Sequence, residues 1–73
     1  MSVLTGDIFA DMCQHLWGAE WKTPAARRFK KNRKTMTRYA AKKHKVSKKV
    51  RAELLTVVDE RIAMLEAFKR DFR

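Results

Sequence analysis

Seventy-three residues suffice for one small domain, since chains divide into separate cores only at several times this length. With 18 Lys+Arg against 8 Asp+Glu the net charge is +10 and the pI near 10.4, while 45% of the residues are hydrophobic. Such a chain is too apolar for a disordered basic tail, too basic for an indifferent surface and too short for a multidomain enzyme. Cys13 stands alone, and with only His15 and His44 beside it the sequence offers neither an intrachain disulfide nor the four N/S ligands of a structural zinc site. No metal or cofactor is expected, and stability has to come from packing or from a partner subunit. The start, Met1 to Asp7, lacks the regions of a secretory signal, and no apolar run approaches the ~20 residues that span a bilayer, so a cytoplasmic protein without a membrane partner is expected.

Two Gly, one Pro and almost no strand-like alternation favour an all-α chain. Thr5 is the expected N-cap of a first helix, about Gly6 to Trp17, with Leu4 and Phe9 as a hydrophobic staple and Asp7 in the first turn. Ile8, Phe9, Met12, Cys13 and Leu16 give it one apolar face, and Gly18 suits its end. Thr23-Pro24 marks the start of a short second helix, Pro24 to about Lys30. Asn32 caps a third, Arg33 to Lys42, on which Met36, Tyr39 and Lys43 point one way and Arg33, Lys34, Thr37, Arg38 and Ala41 the other. After a basic connector, Ser47 caps a long last helix, Lys48 to about Phe72, with a stripe formed by Val50, Leu54, Val57, Val58, Ile62, Leu65, Phe68 and Phe72. The expected architecture is a single compact four-helix domain over residues 1–73, with a helix-turn-helix motif at about 23–42 and a long C-terminal helix at about 48–72.

The charge is segregated along the chain. From Lys22 to Arg51 there are fourteen basic residues and no Asp or Glu, whereas the rest carries a net −4. A solvated basic face is the usual fate of a charge run, but a segment without any counter-charge carries self-repulsion that a polyanion would relieve. Two short helices with a tight link inside this segment suggest a helix-turn-helix whose second member enters the DNA major groove. The outward face of the third helix holds donors suited to guanine edges and phosphates, plus a small residue that permits close approach.

The run Trp21-Lys22-Thr23-Pro24-Ala25-Ala26-Arg27-Arg28-Phe29, followed by Asn32-Arg33-Lys34-Thr35-Met36-Thr37-Arg38-Tyr39-Ala40, Val46-Ser47 and Val50 to Leu54, resembles the small lambda-repressor/Cro-like helix-turn-helix proteins of bacteria and their phages over roughly residues 16–55. The resemblance implies that Ala26 lies where the motif helices cross, that Phe29 and Met36 anchor the core, and that Tyr39 takes the place of a signature aromatic. Lys30 stands where that family usually has a turn glycine, and Lys31 where it has a buried aliphatic. It further implies a DNA-binding transcriptional regulator of the bacterial cytoplasm or nucleoid.

On this reading Arg33, Lys34, Thr37, Arg38 and Ala41 face bases, while Lys22, Thr23, Arg27, Lys42, Lys43 and Lys45 contact phosphates. Trp17, Trp21 and Tyr39 are expected in the core rather than stacked on bases. Cys13 and His15 fall on different helical faces and the carboxylates are scattered, so no enzyme is expected. Two other functions fit the same charge pattern: a protein-binding modulator, such as a phage factor docking an acidic host protein, and a non-specific nucleoid-type DNA binder. RNA binding and a membrane-surface role are weaker, for want of stacking aromatics and of a spare apolar face in the basic segment. The last helix outruns a domain of this size, so Val50, Leu54, Val57 and Val58 are expected to complete the core with Ile8, Phe9 and Met12, and Ile62, Leu65, Phe68 and Phe72 to form a homodimer contact.

Overall fold

Caps and apolar steps place four helices: α1 (Gly6–Trp17), α2 (Lys22–Phe29), α3 (Arg33–Ala40) and α4 (Lys48–Asp71). The computed structural model describes residues 3–73, and among these there is no strand. Thr5 enters α1 in an extended conformation, but its hydroxyl donates to Asp7 Oδ1 at 2.6 Å instead of accepting from a backbone N–H. The expected cap thus keeps its place and changes its partner. That hydroxyl, followed by Asp7's own backbone N–H and more weakly by Lys42, holds the Asp7 carboxyl below its ordinary value.

The second helix begins at Lys22 rather than Pro24, because Trp21, 3% exposed, already has helical dihedrals and Thr23 makes no cap. Pro24 fits inside the first turn, where its missing N–H would have had no intrahelical partner. At the far end Lys30 adopts the left-handed conformation (φ 56°, ψ 43°); the Lys31 N–H donates to Ala26 O at 2.9 Å and the Lys30 N–H to Arg27 O at 3.3 Å, a Schellman ending. Asn32 then caps α3 by accepting from the Thr35 N–H at 2.8 Å and from its hydroxyl at 2.9 Å.

The third helix stops at Ala40, two residues short of the expected Lys42, through a second Schellman ending: Lys42 has φ 61°, and the Lys43 N–H donates to Arg38 O at 2.9 Å. This turn carries Lys43 away from Met36 and Tyr39, correcting its expected orientation. Ser47 caps α4 through Val50 N–H as the sequence indicates.

Phe9 lies at the centre of the core, with ring centroids 6.0 Å from Trp21, 5.8 Å from Phe29 and 5.4 Å from Tyr39. Cys13, Ala25, Ala26, Met36, Val50, Leu54 and Val57 are buried around it, and Trp17 packs against its edge. Because Phe9, Ala10 and Cys13 are the residues of α1 turned to the core, Ile8 and Met12 fall on its flank. They are 50% and 37% exposed, which corrects their expected place in the core. Burial leaves the Cys13 thiol protonated, its pKa pushed up to about 12.

Few contacts hold α4 beyond Val58. Arg28 on α2 donates to Glu53 at 3.2 Å and to Glu60 at 2.6 Å, reaching two turns of α4 at once. Arg61 donates to Leu16 O at 2.9 Å, satisfying a carbonyl left over at the end of α1. After it Ile62, Leu65, Phe68 and Phe72 are all exposed, the last two stacked at 4.9 Å.

Candidate nucleic-acid interface

The outward face of α3 is set by what the inward face buries. Met36 and Tyr39 are 0% and 5% exposed, so residues displaced from them by roughly half a helical turn are turned to solvent. Arg33, Lys34, Thr37, Arg38 and Ala41 are all exposed, and with Lys43 they line one shallow depression. Ala41 lies just past the helix, in its capping position. The Thr37 hydroxyl donates to Arg33 O at 3.1 Å, so it turns an acceptor lone pair outward.

The six residues expected at phosphates are divided. Lys43 joins the α3 face; Lys42 and Lys45 line a separate concavity beside the start of α1, with His44, Lys48 and Arg51; Lys22, Thr23 and Arg27, on α2, border neither. Lys22 and Thr23 are half-buried and Arg27 is exposed. Lys42 also lies 3.7 Å from Asp7 Oδ2, an exposed pair that salt would screen. Lys48 and Arg51, one turn apart at the start of α4, were not singled out by sequence; their signal is the three-residue spacing right after a Ser cap.

The helix starts add an electrostatic feature. A helix N-terminus carries partial positive charge and favours acidic residues in its first turn. Here α2, α3 and α4 have no acidic residue there and instead begin on Lys22, on Arg33 and Lys34, and on Lys48 and Lys49. Each arrangement opposes the free protein's own dipole and adds to the field an anion would meet. Besides Lys42 with Asp7, Arg28 is paired within the basic segment: both of its partners are carboxylates of α4, and the hydrogen bonds to Glu60 and Glu53, with a smaller contribution from their charges, hold its pKa above the ordinary value.

Among the described residues no group of three His, Cys, Asp or Glu could hold a metal ion, and no helix is long and apolar enough to cross a membrane. His15 lies 3.8 Å from Asp11 on the exposed side of α1. No protein-family model, curated protein or solved structure matches the chain.

Proposed function

We propose that the protein binds double-stranded DNA as a transcriptional regulator, with α2 and α3 acting as a helix-turn-helix and α3 in the major groove. The observation that carries this reading is the exposed α3 face, where Arg33, Lys34, Thr37, Arg38 and Ala41 share one depression with Lys43. An α-helix fits the major groove, and this face combines guanidinium and ammonium donors with two small side chains that permit close approach. Cations at three helix starts, unbalanced by any acidic residue, support a polyanion as the partner. On this reading Lys22, Thr23, Arg27, Lys42, Lys43 and Lys45 contact phosphates, copies pair through the exposed end of α4, and the protein works in the bacterial cytoplasm or nucleoid.

Binding to selected and scrambled duplexes over a salt series tests it. Arg38→Ala is expected to cost ~1–3 kcal/mol on the selected site and to relax preference at one base position. Lys43→Ala is expected to weaken all sequences alike and to lower the salt slope by about one. Equal losses from both on every duplex would instead identify a non-specific binder, and no binding to any duplex would overturn the reading.

A further inference from the structure

An apolar groove runs between α1 and α4, with no α2 residue in its lining, and is formed chiefly by Leu4, Ile8 and Met12 and by Leu54, Leu55 and Val58. It continues along α4. Leu55, Val58, Ile62, Leu65, Lys69 and Phe72 follow alternating three- and four-residue steps, the seven-residue repeat of a helix–helix seam, broken only by Lys69. Its four apolar members other than Val58 are each about half exposed or more. The seam is symmetric about the point between Ala63 and Met64, so a second α4 laid antiparallel brings Leu55 opposite Phe72, Val58 opposite Lys69 and Ile62 opposite Leu65.

Charge favours the same arrangement. Among the described residues neither Asp59, beside Val58, nor Lys69 has an ionic partner in its own chain. Antiparallel pairing sets Lys69 of each copy against Val58 and within reach of Asp59 of the other, twice by symmetry. Apart from Arg51, which also lines the groove, the seam lies outside the basic segment: residues 3–20 hold Asp7, Asp11 and Glu20 and no Lys or Arg, and residues 52–73 are near neutral. Two chains of +10 can meet there with the least repulsion.

We propose that the groove between α1 and α4 is occupied by the C-terminal aromatic end of a second copy, Phe72 seated against Leu55 and the flank of α1, exchanged reciprocally in an antiparallel α4 pair. This rests on the pairing of copies suggested above and not on DNA binding, so failure of the Arg38 test leaves it standing.

Sedimentation and cross-linking of the full chain without DNA test it. The wild type is expected to be dimeric at tens of micromolar. Oxidised Leu55→Cys/Phe72→Cys is expected to yield an interchain-linked dimer, while Phe72→Cys alone is not, because the two copies of residue 72 stand about 25 Å apart along the pair. Buried Cys13 does not compete. Asp59→Lys, at an exposed position that leaves the fold intact, is expected to weaken the dimer roughly tenfold, and Asp59→Lys/Lys69→Asp to restore it. A monomeric wild type, linkage through Phe72→Cys alone as efficient as through the pair, or a charge swap that restores nothing would each overturn the proposal.

Discussion

At Gly6 the first turn of α1 passes so close to α3 that a Cβ would overlap the carbonyl oxygen of Tyr39. At Lys30 the opposite mismatch occurs, a residue with a long side chain in the left-handed region where glycine is at ease. Two substitutions therefore move stability in opposite directions. Gly6→Ala forces α1 away from α3 and is expected to destabilise by about 1–3 kcal/mol, the range for inserting atoms into a packed contact. Lys30→Gly relieves the left-handed strain, loses some of that gain to unfolded-state entropy, and is expected to stabilise by about 0.5–1 kcal/mol. Urea unfolding midpoints at constant slope read both effects. Lys42, at the second Schellman ending, gains less from the same change because it lies against Asp7. Asp7 itself has a lowered pKa, so its contribution to stability is complete above the unfolded value near 3.8 and is lost as pH falls through the lower folded value.

Among the elements, the ends of α1 and α4 were legible in the sequence because Gly18 and Ser47 are residues with one strong positional meaning each. Asn32 was legible for the same reason. The end of α3 was not: nothing in the lysine-rich stretch Lys42-Lys43 announces a left-handed residue, and the turn is imposed by the packing of Tyr39 and Gly6 on one side and the route to Val46 on the other. The exposed face of α3 was legible from its helical period alone, since the residues opposite Met36 and Tyr39 are fixed once those two are buried. Arg28 was not separable from its neighbours, because its two carboxylate partners lie 25 and 32 residues away. Its arrangement predicts a specific weakness. Arg28→Met is expected to loosen α4 from α2, lowering the thermal midpoint more at low salt than at high salt, since the lost contacts are exposed ion pairs that salt screens in the wild type. A loss independent of salt would assign the role of Arg28 to packing of its aliphatic stem.

For the whole molecule, the separation of charge governs how stability responds to solution conditions. Among the described residues the ion pairs are few and exposed, and the two that join α2 to α4 share a single arginine. Fourteen cations between residues 22 and 51 face no acidic residue of their own segment, and three helix starts add dipole repulsion to them. Screening weakens both the few attractions and the many repulsions, with a Debye length of ~10 Å at 0.1 M salt, and the repulsions are more numerous and longer in range. Raising sodium chloride from low concentration to about 0.2 M is therefore expected to stabilise the free protein against urea by about 1 kcal/mol, opposite in sign to the effect on DNA affinity that the proposed function predicts. A short polyphosphate at a few millimolar, too dilute to act by exclusion from the surface, is expected to raise the urea midpoint further at matched ionic strength, because it binds the clustered cations of the folded surface more tightly than those of the dispersed chain. If the midpoint instead falls as sodium chloride is added, the ion pairs outweigh the repulsion, and the basic segment would not hold the unrelieved field on which the proposal of a polyanion partner rests.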